Sequence, residues 1–152
     1  MNKSSLIIAQ NRKAKFNYQI TEKIEVGIVL KGSEVKSIRS GNVAIENSYA
    51  VDKNGEFWVM NLFVDLKEHQ KKIDNIDNLR PKKLLLNKTE INKINIQIKQ
   101  NGFTMVPLNL HYNKKGFIKV LLGISKGRKK SDLREYKKQQ DWKREKARLE
   151  KQ

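Results

Sequence analysis

Cysteine is absent from this sequence of 152 residues, and histidine occurs only at His69 and His111. The missing cysteine excludes disulfide bonds, thiolate zinc sites and a cysteine nucleophile. The two histidines lie far apart without metal-ligand spacing. We interpret each as an ordinary surface or strand histidine, with His111 pointing outward from its strand. The eight glycines are scattered and form no phosphate-binding loop. We therefore expect no metal site and no cofactor.

Long apolar runs are missing as well. No segment approaches the ~20 consecutive apolar residues that span a bilayer. The apolar stretch at residues 6–9 is shorter than the hydrophobic region of a signal peptide. The length favours one domain, and a chain of this size can bury a core of its own. These observations favour a cytoplasmic protein without a membrane-spanning segment.

Negative charge is scarce relative to positive charge. The chain has 33 Lys and Arg residues against 16 Asp and Glu residues, which gives a formal net charge of +17. The self-repulsion of such an excess destabilises a compact protein unless a polyanion neutralises it. Nucleic acid is the favoured partner on this ground, and an acidic membrane surface is the alternative.

The positive charge is concentrated at one end of the sequence. Residues 126–152 contain 12 Lys and Arg residues against 5 Asp and Glu residues, a net charge of +7. Their few apolar residues cannot offset the entropy of ordering the segment alone, so we predict a tail that is disordered when free. Helix-forming residues dominate the tail, which favours a helix that forms against a partner. A merely solubilising tail is the alternative.

Alternating apolar residues predict six strands in the rest of the chain. Asn54-Gly55 predicts a tight hairpin, and Pro107 predicts an edge or a bulge in its strand. Residues 65–82 are polar and are predicted to be irregular. The expected strands lie around residues 16–20, 24–30, 45–51, 56–64, 106–112 and 118–124.

Two segments carry a helical pattern instead. A helical turn is expected over residues 33–39, with Ser33 as its N-cap. A longer helix is expected from Leu84 onward, because apolar residues recur there at helical spacing. Asn87 with Glu90 three residues later resembles a capping box, and Gly102 is expected to end the helix.

The number and length of the strands indicate the fold. Six short antiparallel strands close most readily into a small barrel, which removes open edges. Barrels of the oligonucleotide-binding (OB) type bind nucleic acid on one face and its loops. We therefore predict a mainly β fold, with a six-stranded antiparallel closed barrel of OB topology over residues 1–125. The basic tail follows over residues 126–152.

Three basic clusters lie at the ends of predicted elements, at residues 11–15, 80–83 and 126–130. Side chains and backbone amides at such ends can converge on phosphates. Aromatic residues near the first and third clusters can stack on unpaired bases. Each cluster by itself is also compatible with a solvated loop. The aromatic residues concerned are Phe16, Tyr18 and Phe117.

Four segments of the sequence resemble those of one known family, and they occur in the same order along nearly the whole chain. They are IIAQNRKAKFNYQI from residue 7, IEVGIVLKGSEVKSIRSGNVAIENSYA from residue 24, RPKKLLLNKTEI from residue 80 and VLLGISKGRKKSDLRE from residue 120. Together they resemble the SsrA-binding protein family, also called small protein B. The resemblance implies an OB barrel with about three short helices and no enzymatic activity. It also implies binding of the tRNA-like domain of transfer-messenger RNA, which the family delivers to stalled ribosomes for trans-translation.

The resemblance further implies which barrel residues contact the RNA. Lys and Arg meet phosphates, Tyr or Leu can pack on bases, and Glu25 can accept from a base edge or hold a lysine. For the two tyrosines and the leucine, a place in the barrel core is the alternative. Glu34 and Arg39 lie in the most recognisable segment, where we expect them to pair with each other across a turn rather than to contact the RNA. The implied RNA-binding residues are Asn11, Arg12, Lys13, Tyr18, Glu25, Tyr49, Lys83, Leu85, Lys119 and Gly127.

By resemblance, the tail has a second function. In the family it becomes helical on the ribosome, where it occupies the empty mRNA channel and the decoding centre of the small subunit. Ser131 and Leu133 depart from the family pattern, which has a ring-bearing residue and a lysine there. Tyr136 or Arg134 is our candidate for the missing stacking surface. The implied decoding-centre residues are Arg128, Lys129, Lys130, Asp132, Arg134 and Trp142.

Transfer-messenger RNA and the ribosome are thus the expected partners of an adaptor without a small-molecule substrate, which we expect to be a monomer. Two other classes stay open. A structural ribosomal protein with a basic extension would persist on every ribosome after washing at high salt, whereas an adaptor would not. An RNA-processing enzyme would show metal-dependent cleavage that is lost when His69 or His111 is mutated.

Overall fold

The computed structural model describes residues 6–127 and 130–150, which form nine strands and five helices. The strands are β1 (Ile7–Gln10), β2 (Tyr18–Ile28), β3 (Val43–Ala44), β4 (Tyr49–Lys53), β5 (Glu56–Met60), β6 (Phe63–Val64), β7 (Lys82–Leu85), β8 (Thr104–Tyr112) and β9 (Ile118–Gly127). The helices are α1 (Ala14–Asn17), α2 (Gly32–Arg39), α3 (Glu68–Asp74), α4 (Lys88–Asn101) and α5 (Lys130–Glu150).

Seven of the strands form one antiparallel sheet in the order β1-β8-β9-β2-β7-β5-β4, and β3 pairs with β6 separately. The edge strand β4 also packs beside β8, so the sheet curls back on itself. No hydrogen-bonded ladder among the described residues joins β4 to β1 or β8. The prediction of a mainly β fold is confirmed. The predicted number of six strands is wrong, and a ladder that closes the barrel is not part of the described sheet.

The differences arise where the local pattern is ambiguous. Residues 16–20 and 24–30 were expected as two strands, but β2 runs through the polar residues between them and α1 takes up Phe16. The region 65–82 contains α3 and the start of β7 rather than irregular chain. Leu84 lies in β7, so the predicted helix begins only at Lys88. Short apolar runs such as Leu84 to Leu86 suit a strand and a helix alike.

Local turn and capping signals predict the structure well. Asn54 and Gly55 have φ values of 56° and 81°, the left-handed pair that a two-residue hairpin between β4 and β5 requires. The side chain of Asn87 accepts from the backbone N–H of Glu90 at 2.8 Å, which completes the capping box. Gly102 ends α4 with a φ of 66°. Pro107 adjoins a bulge in β8, but this strand is internal to the sheet rather than at its edge.

The main core lies on the inner side of the curled sheet. Leu110, Leu122 and Ile124 of β8 and β9 are fully buried there, together with Ile38 of α2 and Ile94 of α4. Each of these helices thus packs its apolar side against the sheet through its buried isoleucine. A second, smaller cluster lies on the opposite, outer side of the sheet. It consists of Ala14, Val106 and Leu108, with Tyr18, Ile20 and Leu121 packed against them.

Buried charges join the start of α2 to the start of β7. The carboxylate of Glu34, which is 0% exposed, accepts from Arg80 Nη2 at 2.5 Å and Nε at 3.0 Å. Lys82, also 0% exposed, places its Nζ 3.5 Å from Glu34 Oε2 and donates to the Arg80 carbonyl at 2.7 Å. Burial lowers the pKa of the Lys82 ammonium, and the charge of Glu34 counteracts that effect.

This network corrects two expectations. Glu34 pairs with Arg80 and Lys82, so the predicted Glu34–Arg39 pair is wrong. Arg39 instead lies over the ring of Tyr112, 5.6 Å from its centroid, and donates to the carbonyl of Gly116 at 3.3 Å. The predicted phosphate-binding cluster at residues 80–83 therefore loses two of its three cations to a structural role.

A second polar contact joins α2 to α3. Asp74 accepts from both the backbone N–H and the hydroxyl of Ser33, and these bonds hold the pKa of its carboxyl below the usual range. Ser33 thus contacts α3 instead of capping α2, which begins after Lys31. A carboxyl whose pKa is lower in the folded protein stabilises the fold at pH values above its pKa in the unfolded chain, ~3.9. This stabilisation is lost as the pH falls through the lowered pKa of the folded protein.

The variant Asp74→Asn is therefore expected to reduce the loss of stability that the protein shows on acidification below about pH 4. Urea unfolding at neutral pH and at about pH 3 measures this difference. Asp141→Asn, which changes an exposed carboxyl of α5, is the matched control. An acid response of the Asp74 variant equal to that of the control would contradict the prediction.

Candidate nucleic-acid interface

The outer face of the sheet contains a row of aligned residues across four strands. His111 of β8 lies opposite Lys119 of β9, Lys119 lies opposite Gly27 of β2, and Gly27 lies opposite Leu85 of β7. Residues directly opposite one another point to the same face. Leu85 is 52% exposed, which excludes the core as its place. Glu25, two residues before Gly27, shares this outer face.

Two bulges keep the outer face continuous along the long strands. Thr21 is the extra residue of β2 and Leu108 that of β8, since the register with β9 shifts by one at each. Thr21 donates its hydroxyl to the Ile124 carbonyl at 3.0 Å. In a regular strand Tyr18 and Glu25 would point to opposite faces, because an odd number of positions separates them. The bulge at Thr21 interrupts the alternation between them, so both lie on the outer face. Tyr18 also lies opposite Gly127, so this face extends to the end of β9.

A cleft of about 230 Å³ lies at the Tyr18 end of this face. It is lined by three separate segments of the chain, and two of these bring together four of the predicted RNA-binding residues. We call it the Tyr18 cleft. Tyr49 is partly exposed there, and Glu46 and Asn47 contribute polar groups to its wall. The four predicted residues are Asn11, Lys13, Tyr18 and Tyr49.

Asn11 is anchored in the wall of the Tyr18 cleft and is only 8% exposed. Its Nδ2 donates to the carbonyl of Pro107 at 3.0 Å, and its backbone N–H donates to Leu108 at 2.8 Å. Its buried Oδ1 has no hydrogen-bond partner. A buried acceptor without a partner is unfavourable, and because this oxygen has almost no exposed surface, a ligand would reach it only if the wall of the cleft opened.

A second cleft of about 300 Å³ lies at the other end of the outer face. We call it the Leu85 cleft. Leu85 and Lys119 line it together with Arg39 and Phe117. Leu85 packs over Gly27, where an added Cβ would stand 3.2 Å from the Leu85 Cβ. The cleft thus combines two cations with exposed apolar side chains, a combination that suits a phosphate next to a base.

The first basic cluster and the start of the third lie at one end of the sheet, and the second lies at the other. Residues 11–15 precede β2, and the pairing of β2 with β9 brings Lys126 and Gly127 beside them. Helix α5 accordingly contacts α1. The cluster at residues 80–83 lies near the far end of β2, whose 11 residues extend about 35 Å. Only Lys83 of that cluster is free of the Glu34 network, and it pairs with Glu56 at 3.4 Å.

The sequence matches one described family over most of its length. The family model described as "SmpB protein" covers residues 8–152. The chain belongs to the SmpB family. It is 50% identical to the SsrA-binding protein of Rickettsia bellii over 143 residues, 94% of each chain. The SsrA-binding protein of Nitrobacter winogradskyi is 47% identical over 94% of this chain and 90% of its own.

A solved structure supports the same assignment for the fold. Its chain, from a study described as "tmRNA-SmpB: a journey to the center of the bacterial ribosome", superimposes with a TM-score of 0.63 at 39% identity. The match covers 83% of this chain and 91% of that chain. The curled, mainly β fold with several helices is thus that of SmpB proteins.

The SmpB tail residues are only partly within the described structure. Arg128 and Lys129 lie outside the described residues, whereas Lys130 and Asp132 lie at the start of α5. Arg134 is exposed, and Trp142 is 65% exposed on the same helix. Among barrel residues, Arg12 is exposed beside the Tyr18 cleft residue Lys13. The tail's order when free and its contacts on the ribosome stay predictions.

Sequence reasoning missed two residues of the SmpB outer face. His111 was expected as an outward strand histidine, but it is only 7% exposed and its Nε2 lies 2.7 Å from Glu25 Oε2. Glu25 therefore has a histidine partner, whereas a base edge or a lysine was the expected one. Arg39 was assigned to Glu34 but lines the Leu85 cleft. The spacing of Asn109 and His111 on one strand face was the available signal for the first.

The described part of the chain contains neither a candidate metal site nor a candidate membrane-spanning helix. Residues 6–127 and 130–150 contain no group of three or more His, Asp or Glu side chains placed to hold a metal ion. No described helix combines the length and the apolar character that crossing a bilayer requires. The absence of catalysis stays a prediction.

Proposed function

We propose that this protein is an RNA-binding adaptor of ribosome rescue. It binds the tRNA-like domain of transfer-messenger RNA and delivers that RNA to stalled ribosomes for trans-translation. The observation that supports this most directly is the continuous outer face, which joins the Tyr18 cleft to the Leu85 cleft. The names of its relatives, SsrA-binding proteins, and the neighbour described with tmRNA and the ribosome point to the same partners.

The outer face suits a folded RNA with some unpaired bases. Lys13 at one end and Lys119 at the other provide charges for phosphates, about one strand length apart. Tyr18 and Tyr49 provide rings for stacking on unpaired bases. We propose that the curled sheet works as an OB barrel in which the packing of β4 on β8 replaces a closing ladder.

The tail supplies the second part of the proposed function. Helix α5 has exposed side chains along most of its length, including Arg134 and Trp142. A basic helix with so little packing of its own is available to the mRNA channel and decoding centre of the small subunit. We propose that the adaptor acts as a monomer in the cytoplasm, binds no small-molecule substrate and performs no catalysis itself.

RNA affinity is expected to depend steeply on salt. If the outer face and the tail neutralise ~6–8 phosphates, the logarithm of affinity should fall with the logarithm of salt concentration with a slope of about −5 to −7. Titrations of the tRNA-like domain at several salt concentrations measure this slope, and bulk tRNA is the matched competitor. Equal affinity for transfer-messenger RNA and bulk tRNA would contradict the proposed function.

A further inference from the structure

A buried histidine holds one end of the Glu25 side chain on the outer face. His111 Nε2 lies 2.7 Å from Glu25 Oε2. The side chain of Glu25 is half exposed, whereas that of His111 is almost completely buried. An ionised carboxylate can only accept hydrogen bonds, so Nε2 carries the hydrogen and donates it. The shared contact therefore fixes the position of Oε2.

The imidazole ring is itself held from the other side. Its Nδ1 lies 2.8 Å from the Oδ1 position of the Asn109 amide, two residues earlier on the same face of β8. With the hydrogen on Nε2, Nδ1 is the acceptor, and Asn109 holds the ring by presenting its amide N–H at that position, the other orientation of the same amide group. Both ring nitrogens thus have a partner, and the ring cannot rotate without losing one of them. Lys119, directly opposite His111 in the register, is the nearest aligned cation on β9, and Lys23 shares the face of Glu25 on β2.

The carboxylate of Glu25 is unexpected on the outer face, because this face is proposed to bind a polyanion. Its negative charge repels phosphates, so it is useful only where it accepts a hydrogen bond from a base or a ribose hydroxyl. Oε2 is occupied by His111, and among the described residues Oε1 has no protein partner. A side chain that is already fixed loses less conformational entropy when Oε1 binds the RNA.

We infer that His111, braced by Asn109, is a positioning residue that holds Glu25 ready to accept a hydrogen bond from the tRNA-like RNA. This inference rests on the proposed function and deepens it. It assigns to the RNA contact a residue that does not itself meet the RNA. It also predicts that the energetic effect of His111 on binding passes through Glu25.

Two substitutions of His111 separate positioning from packing. Glutamine places an N–H donor near the position of Nε2 and keeps the bond to Glu25, whereas asparagine reaches only the position of Nδ1. The RNA affinity of His111→Gln is expected within about twofold of the wild type. That of His111→Asn is expected to be about two- to tenfold weaker, the cost of ordering one side chain on binding. Equal loss in both variants, or no loss in either, would overturn the inference.

A double-mutant cycle with Glu25→Ala, which removes every acceptor of that side chain, gives a readout that a packing role would not affect. If His111 acts through Glu25, adding His111→Asn to Glu25→Ala should cause no further loss of RNA affinity. An additional loss equal to that in the wild-type background would overturn the inference. Thermal unfolding of each variant shows whether it folds, and Asn109→Ala, which releases the ring, replaces His111→Asn if that variant does not.

The same titrations distinguish the two levels of the proposal. The probe is the isolated tRNA-like domain of transfer-messenger RNA, with bulk tRNA as the control. Failure of the wild-type protein to prefer the probe overturns the proposed function and this inference with it. Preference by the wild type, together with unchanged binding of His111→Asn, overturns only the inference.

Discussion

Ending the chain after Gly127 is expected to leave binding of transfer-messenger RNA nearly intact while tagging of peptides on stalled ribosomes falls to background. The outer face and both clefts lie within residues 6–127, and α5 adds to that body chiefly its contact with α1. The deletion removes 11 Lys and Arg residues against 5 Asp and Glu residues. The RNA affinity should therefore fall modestly and become less salt-dependent.

Two measurements check this separation, a binding titration with the tRNA-like domain and a tagging assay on ribosomes stalled on truncated messages. A chain in which the order of residues 130–150 is reversed is the matched control, because it keeps the composition and charge of the tail. Tagging by the reversed tail would show that charge alone suffices. Equal loss of RNA binding and tagging in the truncated protein would contradict the division between barrel and tail.

Removing the carboxylate of Glu34 is expected to have the largest effect on stability. Glu34→Ala would leave the buried ammonium of Lys82 and the guanidinium of Arg80 without their counter-charge. Breaking such a buried pair typically lowers the free energy of unfolding by about 3–5 kcal/mol, because an uncompensated charge stays in the interior. Urea unfolding followed by circular dichroism measures the difference.

Glu56→Ala is the matched control, since its pair with Lys83 is half exposed and worth at most about 1 kcal/mol. Adding Lys82→Met to Glu34→Ala should recover part of the loss, because methionine removes one buried charge without leaving a cavity. An effect of Glu34→Ala no larger than that of Glu56→Ala would show that the network contributes little to folding.

Features set by a few neighbouring residues could be predicted from the sequence. The hairpin at Asn54-Gly55, the cap at Asn87 and the end of α4 at Gly102 depend on backbone conformations that these residue types favour locally. The strand β7 and the helix α3 could not be predicted in the same way. Leu84 and Leu85 fit either period, and α3 has no buried residue to mark a helical stripe.

The residues of the candidate RNA-binding site could be predicted, but their arrangement in space could not. The ten barrel residues followed from the family resemblance, and the register then placed Glu25, Lys119 and Leu85 on one face. The partners of Glu34 could not be predicted, because Arg80 lies 46 residues away and joins it only through the fold. His111 lies 86 residues from Glu25, so their contact likewise depends on strand register.

The bulges at Thr21 and Leu108 place a constraint on any attempt to transfer this surface to another barrel. Thr21 lines neither of the two clefts. It nevertheless decides which way Tyr18 points: if Thr21 were kept but paired as a regular strand residue, Tyr18 would turn toward the opposite side of the sheet relative to Glu25, because a shift of one residue exchanges the faces of a strand. A design that copies every side chain but straightens β2 would therefore present only half of the surface to one ligand.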